Sequence, residues 1–368
     1  MGVQRILIDH AAHEARWLLD TRPGQDLLSR IHGSESFPQC LCTAAGIGMS
    51  VRRSGNYYFL ARLPGTGHLH HPSCPSYATD SFYSGLSHYP AGVVTDACNG
   101  RTLVRLAPAS PATENNSLQM SLTGLLHLLL ADGELNRWAT GQPSSWAHAA
   151  HAIRRAAQFI DLAPNGPLDA RLLVPEPYDR DNPSANDDAL VDFLASQNSP
   201  KFVLAPFKQF DVHEKRGRLS LKHLARTRFW LSHVDFPLPP VGGEPSLYGL
   251  VLLEVRAGWK PGNVNVIRSA LTLTDRHFLP CASSAIAATA ERLRQQAQPF
   301  LRPLRFDAPE SEMQADFALI YGDRVEPAFL VGAACPESRQ KKALATTLRR
   351  YYPVTVFDSD RPWELPAP

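Results

Sequence analysis

The spacing of apolar residues changes several times along the chain, and each change predicts a different kind of element. Residues 5–20 mix apolar and charged positions at helical spacing and are predicted to form an amphipathic helix. Residues 37–104 hold short apolar runs between turn residues, with strands predicted at 49–53 and 57–62. The intervening turn, Ser-Gly-Asn at 54–56, indicates a hairpin.

A helical period begins at Leu118 and ends at the break TGQPSS, residues 140–145. A second helix is predicted after this break, with one of its two serines as N-cap. The two helices are predicted to pack as a hairpin. A DNA-reading helix-turn-helix is the alternative, and it is disfavoured because the exposed face of the second helix offers only Arg154 and Arg155.

Strand patterns follow at 201–205, 247–256 and 264–274, and the turn sequence GWKPGN joins the last two as a hairpin. The final segment predicts a helix capped by Ser283 or Ser284, and then a second helix from Pro336 to about Arg350. The predicted buried positions of the first of these helices are Ile286, Ala290, Leu293, Ala297 and Phe300. The strands predicted around the two helices read PLRF, ADFALIY, PAFLVG and YPVTVFD, with a Gly322-Asp323 turn, so the order is α-β-β-β-α-β.

Two stretches rich in proline and small polar residues, 107–116 and 174–188, mark breaks in these patterns. The expected fold class is α+β in three parts. These parts are a β-rich, zinc-ribbon-like module over residues 1–106, a mixed region of a helical hairpin and strands over 117–280, and an αβββαβ domain over 283–368.

The charge composition excludes several classes of function. The 368 residues include 37 basic and 35 acidic side chains, so there is no whole-molecule basic field of the kind that coats nucleic acid. The first lysine is Lys201, and no GxxxxGK phosphate loop occurs. The longest apolar run, residues 125–130, is too short to span a bilayer, and no signal peptide is evident. A cytoplasmic protein without a membrane partner is expected.

Six cysteines in a chain of this kind are expected to be thiols or metal ligands rather than disulfides. Cys40 and Cys42 are predicted to face the same side of an extended strand, and the hairpin returns the chain to Cys74. Three thiolates and one imidazole complete a tetrahedral zinc site, with His70 and His71 as competing fourth ligands. Buried free thiols beside a solvent-facing histidine turn are the alternative. The remaining candidates are His68 and Cys98.

The αβββαβ order resembles the core of restriction-endonuclease-like nucleases, in which acids and a lysine on the second and third strands hold Mg²⁺ and a water. Asp316 occupies the place of the first acid, but the third strand has neither an acid nor a lysine. Glu326 lies three residues before the expected position, about 10 Å away along a strand. The candidate substitutes are Glu291, Glu326, Lys341 and Lys342. A strand-end acid without metal is the alternative for Asp316.

Several short motifs spread along the chain resemble one known family. They include CLC, ARLPGTGHLHHPSCPSY, LLHLLLADGELNRW, LLVPEPY, FLRPLRFD, ADFAL and FDSDRPWELP. They are similar to an uncharacterised bacterial family, domain of unknown function eleven seventy-three, often encoded on integrative and conjugative elements. The two ends also resemble the CoiA-like proteins, which join a cysteine/histidine cluster to a restriction-endonuclease-like domain.

This resemblance implies that Cys40, Cys42, Cys74 and the His70-His71 turn belong to the amino-terminal cluster of the family. It also implies that Asp316 is the acid of a PDF-like segment, with alanine in place of its proline. Because FLVG lacks the glutamate usual in the next segment, a degenerate nuclease-like domain is expected.

The leading functional hypothesis is a DNA-associated accessory protein of a mobile element, without catalysis, that works with other proteins of that element. The alternatives are a Mg²⁺-dependent nuclease with relocated residues and a protein-interaction scaffold that does not bind nucleic acid.

Overall fold

The computed structural model describes most of the chain. The described residues are 4–34, 37–54, 56–63, 66–77, 84–96, 101–109, 119–196, 198–213, 215–232, 236, 239, 246–260, 262–309, 313–322, 324–333, 335, 337–351, 353–361 and 363. Cys98, Asp323, Pro336 and most of the predicted 107–116 break lie outside them. In this part of the chain, no helix has the length and hydropathy needed to cross a membrane.

The fold is a mixture of helices and strands, as expected for an α+β protein. The helices are α1 (Ala15–Asp20), α2 (Arg22–Ile31), α3 (Leu122–Asp132), α4 (Trp146–Ala157), α5 (Ala185–Ala195), α6 (Ser284–Gln295) and α7 (Ser338–Leu348). The first ten strands are β1 (Arg5–Ile8), β2 (Ala11–Glu14), β3 (Gln39–Cys40), β4 (Ile47–Ser54), β5 (Tyr57–Arg62), β6 (Val94–Asp96), β7 (Thr102–Arg105), β8 (Arg137–Trp138), β9 (Ile160–Ala163) and β10 (Gly166–Pro167). The others are β11 (Leu172–Leu173), β12 (Lys201–His213), β13 (Arg216–Leu221), β14 (Arg228–Leu231), β15 (Tyr248–Ala257), β16 (Asn263–Thr274), β17 (Phe300–Leu301), β18 (Phe317–Tyr321), β19 (Arg324–Val331) and β20 (Thr355–Asp358).

The amino-terminal sheet has the order β2-β1-β3-β4-β5 and is antiparallel throughout. The helix predicted over 5–20 is therefore wrong for residues 5–14, which form two strands and their turn, and is confirmed only for Ala15–Asp20, the helix α1. Ile6 and Ile8 are buried on alternate positions of β1, and a turn at Asp9 and His10, both with positive φ, returns the chain as β2. The predicted hairpin is confirmed as β4 and β5.

The helical hairpin is confirmed as α3 and α4. Ser121 and Ser145 cap them by accepting hydrogen bonds from Gly124 N and His148 N. Beside the hairpin, β7 runs parallel to β9 in the sheet β10-β9-β7-β6. Strand pairing thus crosses the boundary expected at 106–117.

The six-stranded sheet contains a closed barrel. The first half of β12 pairs with β15 and the second half with β13, with an irregularity between Phe207 and Gln209. The ring continues through β14, β16 and back to β15, with β14 and β16 parallel. Around the ring the strands lie in the order β12, β13, β14, β16 and β15. The last two are thus reversed relative to the chain, which is the connectivity of the five-stranded OB-fold barrel.

The barrel has an apolar interior and one covered outer side. Phe229, Val251 and Leu253 belong to the interior cluster, into which Leu190 of α5 also packs. That helix was missed because its residues fall partly in the predicted 174–188 break. On the covered side, Phe202 and Leu252 share a cluster with the apolar residues of α3 and α4. The predicted strands at 247–256 and 264–274 are confirmed as the hairpin β15–β16, whereas the strand predicted at 201–205 extends to His213.

The carboxyl-terminal sheet has the order β20-β19-β18-β17-β8, in which β19 and β20 are parallel. The elements α6, β17, β18, β19, α7 and β20 confirm the αβββαβ order. The apolar residues of α6 and α7 join separate clusters, which include Leu330 and Phe329 respectively. Since these neighbours on β19 point to opposite faces, the sheet lies between the two helices.

Two details of this region differ from the prediction. The first strand is Phe300–Leu301, and PLRF is not a strand, since Pro303 has no N–H for a ladder. Ala297 is exposed with φ 53° beyond the end of α6. The added edge strand β8 comes from the middle of the chain, so pairing also crosses the boundary expected at 280–283.

Candidate functional site

Four potential metal ligands meet beside the amino-terminal sheet. Cys40 ends β3, where it pairs with Ile6 and Ile47, and Cys42 lies in the turn that follows. The sulfurs therefore converge through a turn rather than through strand alternation. A 3₁₀ turn over Gly67–Leu69 delivers the other two ligands, His70 and Cys74. The ligand atoms of Cys40, Cys42, His70 and Cys74 all lie within 4.8 Å of one another.

The distances within this cluster fit a tetrahedral ion. Cys40 Sγ lies 3.7 Å from Cys74 Sγ, and His70 Nδ1 lies 3.4 Å from Cys42 Sγ and 3.7 Å from Cys74 Sγ. Tetrahedral zinc with Zn–S bonds near 2.3 Å places two sulfurs about 3.8 Å apart, and a sulfur and a nitrogen slightly closer. The four residues can therefore hold a metal ion such as zinc.

The structure separates the two neighbouring histidines. His70 is buried and directs Nδ1 at the sulfurs, while its Nε2 makes no hydrogen bond within the described residues. His71 instead places Nδ1 2.7 Å from Ser73 Oγ. Its backbone N–H donates to Cys42 Sγ at 3.4 Å. Of the other candidates, His68 is exposed in the 3₁₀ turn, and Cys98 lies outside the described residues.

Hydrogen-bond donors surround the sulfurs. The Gln4 amide donates to Cys40 Sγ at 3.4 Å and to Cys74 Sγ at 3.6 Å, and Ser76 N donates to Cys74 Sγ. The pKa of Cys40 is lowered, first by the hydrogen bond from the Cys74 thiol, and the pKa of Cys74 is raised by the same bond. Burial raises the pKa of Cys42. The thiolate is the form of cysteine that binds metal, and the hydrogen bonds from Gln4 and Ser76 stabilise that form.

A single arginine ties the metal turn to the carboxyl-terminal sheet. Arg137, in β8, donates to the carbonyl oxygens of Pro72, Cys74, Pro75 and Tyr77 at 3.2 to 3.3 Å. Its backbone pairs with Leu301 of β17. Burial lowers the pKa of this guanidinium. Arg137 thereby links the turn at the Cys/His cluster to β17, which lies more than two hundred residues further along the chain.

Asp316 lies immediately before β18, and its two carboxylate oxygens both accept hydrogen bonds. Lys341 of α7 reaches it at 2.9 and 2.8 Å, and Leu330 N donates to Oδ2 at 2.8 Å. Both side chains are about nine-tenths buried. Arg302 donates to the backbone oxygen of Asp316.

The other residues that the nuclease hypothesis considers as Mg²⁺ ligands or catalytic groups have different partners. Glu326 is buried and accepts from Thr355 Oγ1. Glu291 is bound by Arg276 at 2.8 Å and by Arg294 at 3.4 Å. Lys342 is exposed on α7. Within the part of the chain that the structure describes, the Cys/His cluster is the sole group of three or more potential metal ligands. No cluster of acidic side chains therefore surrounds Asp316 among these residues.

The comparisons with known proteins give one match. The model of a family described as "Protein of unknown function (DUF1173)" matches residues 13–234, more than half of the chain. The chain belongs to this family. The matched segment contains the whole Cys/His cluster and reaches the end of β14, whereas Asp316 and Lys341 lie beyond it. No curated protein and no solved structure matches the chain.

The outer side of the barrel over β13 and β14 is polar and carries several cations. Arg218 and Trp230 face each other across the two strands, since their Cα atoms are partners in the register. Asp211 pairs with Arg218 at 2.6 Å, and this guanidinium holds the pKa of the Asp211 carboxyl below its usual range. Arg216 lies over the Trp230 ring, and Arg228 is exposed at the start of β14.

A cleft of about 460 Å³ lies between the β4–β5 hairpin, the helical hairpin and the segment after β17. Phe59 and Phe159 meet edge to face at 5.2 Å in its lining. Arg52 stacks over Phe159 and the exposed Arg155 lies over Phe59. This cleft is a second place where aromatic rings and cations meet.

Sequence reasoning missed three of the residues that shape these sites. Gln4 and Arg137 act through side-chain hydrogen bonds to distant parts of the chain, and a lone polar residue carries no periodic signal. Trp230 was missed because its strand, RFWL, is short. Its alternation of polar and apolar positions was the available signal, since Phe229 and Leu231 are buried while Arg228 is exposed.

Proposed function

We propose that this protein is a zinc-stabilised accessory protein that binds DNA without cutting it. In this proposal it serves a bacterial mobile element in the cytoplasm, together with other proteins of that element. The observation that carries the DNA-binding part is the polar outer side of the barrel, where Arg216 lies over the half-buried Trp230 ring and Arg218 lies opposite it.

The Cys/His cluster supports a structural role for zinc. A catalytic zinc keeps one position open for water, whereas Cys40, Cys42, His70 and Cys74 supply a complete tetrahedral set. Because the cluster joins β3 to the turn before Ser76, the ion would stabilise the amino-terminal sheet and the position of Arg137.

The Asp316–Lys341 pair supports a binding role for the restriction-endonuclease-like domain. A Mg²⁺ ion requires several oxygen ligands in near-octahedral order, and the carboxylate of Asp316 is already bound by an ammonium and a backbone N–H. The third strand contributes apolar side chains at the corresponding positions. A nuclease-like fold that has kept its packing and lost its metal ligands accounts for these features.

One observation favours the nuclease alternative. Lys341 reaches Asp316 from the neighbouring helix, and an acid beside a lysine is the pair that this chemistry uses. In that alternative, Mg²⁺ would displace the ammonium from Asp316, with Glu291, Glu326 or Lys342 as further relocated residues.

The proposal is tested with the zinc-loaded full-length protein, purified without a histidine tag. We expect the protein to be retained by immobilised DNA and to be released by rising salt concentration, because arginine–phosphate contacts release counterions. We also expect no cleavage of single- or double-stranded DNA in Mg²⁺ or Mn²⁺. The Asp316→Asn variant, which keeps the size of the side chain, serves as the control.

The outcomes distinguish the three hypotheses. If the wild type cuts DNA and Asp316→Asn does not, the nuclease with relocated residues replaces our proposal. If neither protein is retained by DNA at low salt, the scaffold that does not bind nucleic acid replaces it.

A further inference from the structure

The barrel has one outer side that the helices cover and one that carries polar side chains. The apolar residues of α3 and α4 cluster with Phe202, Leu204 and Leu252 of the covered side. On β13 and β14, buried residues alternate with exposed or half-exposed ones, so that Arg216, Arg218, Arg228 and Trp230 point outward. We call this outer surface of β13 and β14 the barrel face.

We propose that the barrel face binds single-stranded DNA, with bases stacked on Trp230 and Trp259 and phosphates held by the neighbouring arginines. This inference rests on the proposed DNA-binding function and names its ligand and its site.

Two hairpin loops border the barrel face. The loop between β15 and β16 contains Trp259, which is 100% exposed, and the exposed Lys260. Because Arg228 pairs with Asn263, this loop adjoins the start of β14. The loop between β12 and β13 contains Lys215 and adjoins the opposite end, since Gly217 pairs with Leu231. The two loops and the face between them are the parts of an OB-fold barrel that contact oligonucleotides.

The charge of the barrel face suits a phosphate backbone. Strands β13 and β14 carry no carboxylate, and Asp211 of the neighbouring β12 is neutralised by Arg218. Within the described residues, Arg216, Arg228 and Lys260 form no ion pair, so their charges are available to an anionic ligand.

The two indoles favour a single strand over a duplex. A fully exposed tryptophan on a loop has no packing role in this fold. Trp230 is half-buried on the barrel face, with Arg216 over its ring and Arg218 opposite it on β13. Stacking on aromatic rings requires bases whose faces are accessible, and in a duplex these faces are covered by neighbouring base pairs.

The test measures the anisotropy of a labelled oligothymidine of about 15 nucleotides, titrated with the zinc-loaded full-length protein. We expect tighter binding of this strand than of a duplex of equal length. Trp259→Ala should weaken binding by about tenfold, and Trp259→Phe should restore most of the loss because phenylalanine still stacks. Arg228→Ala should weaken binding and lower the salt dependence by about one unit of slope.

Two matched variants report on the competing sites. Arg155→Ala removes an exposed arginine from the aromatic cleft, and Arg339→Ala removes one from α7. Both should bind the strand as the wild type does. All these positions are exposed, so the variants should fold, which circular dichroism checks.

Three results overturn the inference. If Arg155→Ala loses affinity while Trp259→Ala and Arg228→Ala do not, the strand binds in the cleft and only this inference fails. A preference for the duplex likewise overturns this inference and leaves DNA binding intact. If the wild type binds neither DNA, the inference and the proposed function fail together.

Discussion

The ammonium nitrogen of Lys341 lies 2.9 and 2.8 Å from the two carboxylate oxygens of Asp316. Both groups are buried between α7 and the carboxyl-terminal sheet, and Leu330 N supplies a further hydrogen bond. An ion pair thus occupies the position at which the resemblance to nucleases predicts a metal-binding acid. Because both charges are buried, removal of either side chain leaves the other charge unpaired and destabilises the protein.

We expect Asp316→Ala to lower the free energy of unfolding by about 3–5 kcal/mol, because it leaves the buried Lys341 ammonium without its partner. The double variant Asp316→Leu/Lys341→Met should recover most of this loss, since it removes both charges. Urea unfolding followed by circular dichroism measures both effects. Equal stability of Asp316→Ala and the wild type would show that the pair is not buried in solution.

The two adjacent histidines provide a matched test of the metal centre. The protein should contain one zinc per chain, and His70→Ala should reduce this to below about 0.2 equivalents because it removes a ligand. Cys40→Ser should have the same effect and should lower the melting temperature. His71→Ala should retain its zinc, since that ring binds Ser73. Elemental analysis of tag-free protein measures the zinc content of each variant. Loss of zinc in His71→Ala and not in His70→Ala would make His71 the fourth ligand.

The hydrogen bonds of Arg137 should stabilise the metal turn. Arg137→Met removes the two guanidinium nitrogens that make four hydrogen bonds to backbone carbonyls, while it keeps an apolar stem, and we expect a loss of about 2–3 kcal/mol in the free energy of unfolding. Zinc transfer to a chromogenic chelator should also become faster. Arg339→Met is the control, because that side chain is exposed on α7. An unchanged rate of zinc transfer would mean that the turn is held without this arginine.

His127 should make the stability of the protein sensitive to acid. Phe306 N donates to His127 Nδ1 at 2.9 Å, and burial lowers the pKa of this histidine to about 4. The unfolded chain binds a proton near pH 6.5 and the folded chain near pH 4, so the stabilisation is complete above pH 6.5 and is lost as the pH falls towards 4. The loss amounts to about 3 kcal/mol.

His127→Asn isolates this contribution, because the Asn amide oxygen can accept the same hydrogen bond and does not titrate. Urea midpoints measured between pH 7 and pH 4.5 should fall less steeply for the variant than for the wild type. Parallel curves for the two proteins would assign the acid sensitivity to other groups.

Local signals predicted the helical hairpin of α3 and α4 and the two carboxyl-terminal helices, whereas α5 was missed. Ser145 and Ser283 cap the helices that follow them, and such caps involve residues only three positions apart. The barrel was not predictable in the same way. Only the first five residues of β12 read as a strand, and its pairing with two different partners is set by a bend near Phe207 and by contacts with distant strands.

The candidate sites were likewise only partly predictable, because they also depend on contacts between distant parts of the chain. The spacing of Cys40, Cys42 and Cys74 indicated a metal cluster, but His70 and His71 have nearly equal sequence distances from all three. The direction of the 3₁₀ turn before them separates the two rings. The contact between Asp316 and Lys341 joins a strand to a helix 25 positions later, and no periodicity in the chain marks it.

The two-residue strand β8 has a consequence for anyone who divides this protein into fragments. A fragment that begins at Ser283 would contain α6 to β20 but would lack Arg137 and Trp138. The edge of β17 would then present unpaired N–H and C=O groups, and Phe300 would lose its stacking partner Trp138. Unprotected edges of this kind pair with other molecules, so such a fragment should aggregate. A longer fragment that also carries the helical hairpin and β8 should remain monomeric, because it brings its own edge protection.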